Sequence, residues 1–113
     1  MEDFPDFMMT MGNLIASNSQ SRGVRGWVYD GVDDKQMAYW VCESDGKSEE
    51  HVHDFDEYFV VVQGRYTLLI NGQKIDVRKG DEFFIPQNVP HAGEFTAGTR
   101  TIHCFGGKRA EHA

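Results

Sequence analysis

Two histidines one residue apart stand in the chemically richest stretch of the sequence, EEHVHDFDEYFVVVQG at residues 49–64. On an extended strand, His51 and His53 would point to the same face, from which two imidazoles can converge on one ion. Glu57 has the same parity, but on one straight strand it would lie roughly 20 Å from His51. The chain must therefore turn between them, and residues 54–56 can form that turn. The spacing predicts part of a metal site.

A third histidine, His91, completes the candidate site in GDEFFIPQNVPHAGEF at residues 80–95. Pro86 and Pro90 stiffen the preceding loop, which lowers the cost of holding a ligand in place. Three neutral imidazoles and the Glu57 carboxylate suit one divalent transition metal ion per chain, namely Fe, Mn, Ni, Zn, Co or Cu. At six-coordination such a set leaves two positions open, which favours catalysis over a closed structural site.

Other side chains are candidates for roles around that ion. His103, in TRTIHCF, is a candidate catalytic residue that could support a ligand or transfer a proton, with simple packing as the alternative. Phe59 is a core aromatic that would also bind substrate if it faces the metal. The closing segment contains Arg100, Lys108 and Arg109, one of which could hold a carboxylate or phosphate of a small substrate. We select Arg100 for that role, and a surface position is the alternative.

The elements that must position these residues are strands. From Met37 onward, short β-rich runs alternate with turn residues, which predicts an all-β meander. The predicted strands are MAYWVCE, EYFVVVQ, YTLLI, KIDV, EFFIP and TRTIHCF. Asn71 and Gly72 both tolerate the positive φ of a type I′ turn, so a tight hairpin is expected there.

The first 22 residues differ from the rest. Their apolar side chains follow neither a period of 2 nor one of 3.6, which predicts an arm or short helix. Because so many apolar groups need cover, we expect residues 1–22 to close a sheet edge or to cross to a second subunit, which favours a homodimer. The length of 113 residues fits a single domain over residues 23–113.

Charge and cysteine usage limit the possible partners and the compartment. The net charge is −7 and long Lys/Arg clusters are absent from the sequence, which argues against binding to nucleic acid or to an anionic membrane. Cys42 and Cys104 each lie in a hydrophobic run without paired spacing, which indicates buried thiols in a reducing compartment. The N-terminus has neither a basic signal-peptide start nor a membrane-length apolar span. We therefore expect a cytoplasmic protein.

The candidate ligands also carry a family resemblance. The chain is similar to a single-domain (type 2) cupin, whose first motif is Gly, about five residues, HxH, three or four residues, Glu, six residues and Gly. The matching positions are Gly46, His51, His53, Glu57 and Gly64. One residue is missing between Gly46 and His51.

The second cupin motif is Gly, five residues, Pro, one residue, Gly, two residues, His, three residues and Asn. Gly80, Pro86 and His91 match it. Asn88 replaces the usual Gly and Phe95 replaces the usual Asn. Asn is the next most tolerant residue for a left-handed turn, so the change at Asn88 is mild.

The resemblance implies a cupin double-stranded β-helix, or jelly-roll barrel, with a short N-terminal arm and often a dimeric state. It also implies a metal bound in the barrel mouth. The expected function is a metal-dependent enzyme that acts on a small polar metabolite, such as a sugar or keto acid, by isomerase, lyase or dioxygenase chemistry. The alternative is a non-catalytic cupin that binds or senses a small ligand, and a third possibility is a structural metal.

Overall fold

The computed structural model describes residues 1–16 and 23–113, and in these ranges nine strands form two antiparallel sheets. The strands are β1 (Val24–Asp30), β2 (Gln36–Cys42), β3 (Gly46–Lys47), β4 (Glu57–Gln63), β5 (Arg65–Ile70), β6 (Gln73–Arg78), β7 (Glu82–Ile85), β8 (His91–Phe95) and β9 (Arg100–Phe105). Short 3-10 turns cover Asp6–Met8, Met11–Asn13 and Val32–Asp34. The first sheet has the order β1-β2-β9-β4-β7 and the second has the order β3-β8-β5-β6.

The inner faces of the two sheets enclose the core. Along β4, Glu57, Phe59 and Val61 are buried while Tyr58 is exposed, which is the period-2 pattern of a strand with one buried face. One cluster of buried side chains comprises Ile15, Val28, Ala38, Trp40, Phe105 and Ala110. A second comprises Phe59, Val61, Leu68, Ile70, Val77 and Ile85. The all-β jelly-roll prediction is confirmed.

The predicted strands all correspond to observed strands, with ends that differ by a residue or so. The predicted hairpin joins β5 to β6, and Asn71 and Gly72 have φ values of 52° and 73°. Both angles fall in the left-handed region that a type I′ turn requires. Asn88 also has a positive φ, 65°, as expected where the second motif usually has Gly.

Three strands were not predicted, namely β1, β3 and β8. Glycines interrupt the β-rich pattern in β1 and β8, and close packing leaves no room for a side chain at either glycine. A Cβ at Gly26 in β1 would lie 2.6 Å from the Trp40 ring, and one at Gly93 in β8 would overlap the Tyr66 hydroxyl. Glycine lowers strand propensity, so the residues that allow these contacts also hid the strands.

The arm packs on its own chain. Phe4 is buried against Tyr39, with ring centroids 5.5 Å apart, on the outer face of the first sheet. Ile15 N donates a 2.8 Å hydrogen bond to the Gly26 carbonyl, along the outer edge of β1. The arm thus covers a sheet edge, as expected. Residues 17–22, the last part of the predicted arm, lie outside the described residues.

Two further expectations concern the cysteines and the membrane. Cys42 is buried and Cys104 is partly exposed, and both thiols are free. Burial raises the pKa of the Cys42 thiol to about 12, so it stays protonated at neutral pH. Within residues 1–16 and 23–113, helices with the length and apolar character needed to cross a membrane are absent.

Candidate metal centre

Two strand starts and one short bridge bring the candidate ligands together. His91 is the first residue of β8 and Glu57 is the first residue of β4. His51 lies outside the named strands and pairs with His91 through two backbone hydrogen bonds of 2.9 Å. His53 follows in an extended segment, and a bend at residues 54–55 then redirects the chain into β4. The predicted turn is present, but the HxH pair is held by a bridge and not by a full strand.

The three imidazoles form one compact group. The ring centroid of His51 lies 4.4 Å from that of His91 and 4.8 Å from that of His53, and the His53 and His91 centroids are 5.3 Å apart. One ring nitrogen from each lies within 4.8 Å of the others. Glu57 Oε1 lies 3.5 Å from His53 Nε2 and 3.4 Å from His91 Nε2.

Backbone carbonyls fix two of the rings. The Nδ1–H of His51 donates to the Glu49 carbonyl at 2.8 Å, and the Nδ1–H of His91 donates to the Val89 carbonyl at 2.9 Å. These bonds leave the Nε2 lone pair of each ring available for coordination, an arrangement typical of metal-ligating histidines. The His53 ring stacks on Phe55, with centroids 4.8 Å apart and planes 9° apart.

Three buried atoms at the centre lack the partners that buried polar atoms normally have. His53 Nε2, Glu57 Oε1 and His91 Nε2 have no hydrogen-bond partner among the described residues. Leaving a buried polar atom unpaired costs about 1–3 kcal/mol, and more when the group is charged. A divalent cation between these atoms would remove that cost, and the nitrogen and oxygen donors are of the kind that Fe, Mn, Ni, Co, Cu and Zn accept. The residues therefore fit a metal ion.

The protonation states of His51, His53 and Glu57 suit a metal ion. Burial lowers the pKa of His51, and it lowers the pKa of His53 to about 4, so both rings are neutral at pH 7. Burial alone would raise the pKa of Glu57, but the hydrogen bond from His103 and the electrostatic attraction of His91 outweigh burial and hold that pKa below its ordinary range. For His91, the interaction with Glu57 outweighs burial and raises the pKa. A carboxylate and two neutral imidazoles are thus ready to bind a cation.

His103 lies behind Glu57. Its Nδ1 is 2.8 Å from Glu57 Oε2, so the ring donates to the carboxylate oxygen that faces away from His53 and His91. Its Nε2 lies 3.0 Å from the Thr101 hydroxyl. Phe59 stacks on a face of the His103 ring, with centroids 4.8 Å apart. His103 therefore positions the carboxylate, and Phe59 supports His103 from within the core.

A cavity of about 60 Å³ opens beside the centre. Its polar lining includes His51, Glu57, His91 and His103, together with Ser48, Tyr66, Thr101 and Arg109. Phe59 is fully buried and lies outside this lining. Sequence reasoning did not select Tyr66, although its parity in β5 matches that of the buried Leu68 and Ile70. That parity was the signal for its inward position.

Arg100 lies away from the cavity. Its guanidinium donates to the Gln63 side-chain oxygen at 2.8 Å and to the Met1 carbonyl. It also sits 4.8 Å above the centre of the Phe4 ring. The structure thus places Arg100 under the N-terminal arm, and Arg109 is the member of the predicted basic group that reaches the cavity.

Known proteins share sequence and fold with this chain. The family model described as a cupin domain matches residues 38–105, more than half of the chain. An acireductone dioxygenase from Alcanivorax borkumensis is 49% identical over 47 residues, which cover 38% of this chain and 26% of that protein. An uncharacterised protein from Methanocaldococcus jannaschii is 29% identical over 65 residues, which cover 57% of this chain and 51% of that protein.

The chain thus spans about a quarter and about half of the lengths of these two curated relatives. Among solved structures, KdgF from Halomonas sp. superposes with a TM-score of 0.70 at 21% identity. The match covers 77% of this chain and 81% of that one. At this level of identity, the likeness shows a shared fold.

Proposed function

The chain belongs to the cupin-domain family, and from that premise we propose that it is a metal-dependent enzyme acting on a small polar metabolite. In this proposal His51, His53, Glu57 and His91 hold one divalent transition metal ion. When bound, such an ion polarises a substrate oxygen and, if it is redox-active, can also support oxidation by dioxygen. The substrate would occupy the adjoining cavity.

One observation carries the proposal. Three buried atoms, His53 Nε2, Glu57 Oε1 and His91 Nε2, face one another without hydrogen-bond partners in the described part of the chain. A merely structural polar cluster would be expected to satisfy its own hydrogen bonds. Unpaired donor atoms beside an open cavity instead favour a site that takes up an ion and keeps room for a ligand.

The surrounding residues would have distinct tasks. His103 would hold the Glu57 carboxylate in one orientation through its Nδ1–H. Tyr66 lines the cavity, and its hydroxyl can donate to a substrate oxygen. The Thr101 hydroxyl instead lies 3.0 Å from His103 Nε2 and donates to that nitrogen. Burial raises the pKa of Tyr66, so its hydroxyl keeps its proton at neutral pH and serves as a donor rather than a base.

The reaction class is open to a direct experiment. The purified chain would be loaded separately with Fe, Mn, Ni, Co, Cu and Zn and mixed with small sugars, keto acids and hydroxy acids. Oxygen uptake would identify dioxygenase chemistry, and product signals in NMR spectra without oxygen uptake would identify isomerase or lyase chemistry. Tight ligand binding without turnover for any loaded form would contradict the enzyme and favour a binding or sensing module.

We further propose a cytoplasmic homodimer, with residues 1–22 as an arm on a single barrel domain of residues 23–113. The dimer is supported by apolar side chains on the outer face of the first sheet. Met37, Tyr58 and Phe84 are 40%, 37% and 54% exposed. The register β2-β9-β4-β7 aligns them across neighbouring strands. A second copy of the chain could bury this face.

A further inference from the structure

Arg109 is the charged side chain whose position the proposed metal chemistry leaves unexplained. It lies four residues beyond β9, in the closing segment that folds back to the cavity, and it forms part of the cavity lining. Arg109 forms no ion pair with any acidic residue that the structure describes. Its guanidinium side chain likewise has no hydrogen-bond partner among residues 1–16 and 23–113. Arg109 is partly buried, and a guanidinium in the cavity lining without a protein partner is available to bind an anionic ligand.

A buried network holds this residue in place. Gln36, which is buried at the start of β2, accepts hydrogen bonds from the backbone N–H groups of Arg109 and Ala110 at 2.7 and 3.0 Å. Its amide nitrogen donates to the Ala110 carbonyl at 3.0 Å and to Asp30 Oδ1 at 2.9 Å. The Arg109 backbone is therefore fixed by contacts with a strand 73 positions earlier in the chain, as expected for a residue that must present its side chain accurately.

The charge of Arg109 acts on the metal centre. Burial lowers its pKa, and the Glu57 carboxylate partly offsets that effect. In turn its positive charge contributes to the lowered pKa of His51 and of His53. These mutual effects place the guanidinium within electrostatic reach of the ligands, although it does not pair with them.

We propose that Arg109 binds the carboxylate of a small acid substrate, a 2-oxo or 2-hydroxy acid. The second oxygen of that acid, on the neighbouring carbon, is directed to the metal, so this inference rests on the proposed metal centre. Arginine is suited to this role because its planar fork binds a carboxylate with two parallel hydrogen bonds. A 2-oxo or 2-hydroxy acid carries its second oxygen donor on the adjacent carbon, so one small molecule can engage both partners.

The cavity has room for such an acid. A volume of about 60 Å³ holds on the order of four to six water-sized positions, which is enough room for an acid of a few carbon atoms. Much of the remaining lining is apolar, namely Val24, Trp40, Cys42, Phe95 and Phe105. The one guanidinium in this lining matches one carboxylate, and the neighbouring oxygen of the ligand is left for the metal.

The test compares pyruvate with its neutral amide, pyruvamide, in binding to the Co(II)-loaded full chain. Calorimetry gives each dissociation constant, and changes in the visible Co(II) spectrum report ligand binding next to the ion. The variants are Arg109→Gln, Arg109→Lys and the matched control Lys108→Gln, which alters an exposed neighbour. Elemental analysis of every variant checks that its metal content equals that of the wild type.

We expect Arg109→Gln to weaken pyruvate binding about tenfold or more, since it loses a charge-assisted pair. Pyruvamide affinity should change little, Arg109→Lys should recover part of the loss, and Lys108→Gln should match the wild type. Equal pyruvate affinity in the wild type and Arg109→Gln would overturn the inference, as would equal binding of pyruvamide and pyruvate, or tighter Arg109-dependent binding of inorganic phosphate. Failure of pyruvate to bind to metal-loaded wild type would also overturn it, while leaving the metal centre intact.

If the wild type does not take up Co(II), the proposed function fails separately. Arg109 is then tested on the metal-free chain by the chemical-shift change that pyruvate induces in NMR spectra. A change that Arg109→Gln removes and Lys108→Gln retains would support the carboxylate site on its own. The same change in all three proteins would overturn it.

Discussion

Removing the His103 ring tests how the proposed ligand Glu57 is held. The ring donates a 2.8 Å hydrogen bond to Glu57 Oε2 inside the core. A hydrogen bond to a charged group contributes about 1.5–3 kcal/mol, and each 1.4 kcal/mol corresponds to about a tenfold change in affinity. We therefore expect His103→Ala to weaken metal binding about 10-fold to 100-fold. His103→Asn retains an N–H near the Nδ1 position and should lose less.

The assay is a competition between the protein and a chelator of known affinity for Zn(II), with the bound metal measured by elemental mass spectrometry. Circular dichroism and thermal melting confirm that each variant is folded, because His103 also packs against Phe59. His112→Asn is the matched control, since His112 also pairs with a carboxylate, Asp30 at 2.7 Å, but away from the centre. Unchanged Zn(II) affinity in His103→Ala would refute the positioning role, as would an equal loss in His112→Asn.

Three further results are expected. Gly93→Ala should destabilise the fold by about 2 kcal/mol and lower Tm by roughly 8 °C, because its Cβ would overlap the Tyr66 hydroxyl, whereas Gly12→Ala, which has open space around it, should leave Tm nearly unchanged. Because burial lowers the pKa of His53 from 6.5 to about 4, only the unfolded chain gains this proton as the pH falls from 6.5 towards 4, so the metal-free protein should lose stability in that window. His53→Gln should reduce that loss in melting experiments. An identical dependence of Tm on pH in the variant and the wild type would contradict this prediction. Phe84→Glu should convert a dimer into a monomer in light scattering after gel filtration; a wild type that is already monomeric would contradict the dimer.

Local spacing explains which features of the site and the fold could be predicted from the sequence. The positions of His51, His53, Glu57 and His91 follow from short motifs, and the structure brings those four side chains together. The hairpin at residues 71–72 was also predictable, because its turn chemistry is local. These features depend on neighbours within a few positions in the chain.

The parts that sequence reasoning missed depend on distant contacts. β8 was hidden because Gly93 makes room for Tyr66, which lies in another strand. Arg109 could not be separated from Arg100 and Lys108, because its approach to the cavity depends on hydrogen bonds to Gln36. Such pairings across the chain leave little trace in composition or periodicity.

The central claim is that this chain binds one metal ion through three histidines and a glutamate. The most direct test is elemental mass spectrometry of untagged protein, purified without added metal and then reconstituted with Fe, Mn, Ni, Co, Cu or Zn. We expect one ion per chain in the wild type and in His112→Asn, and loss of that ion in His91→Ala and Glu57→Ala. A wild type that remains metal-free after every reconstitution, or variants that keep the full ion content, would contradict the account.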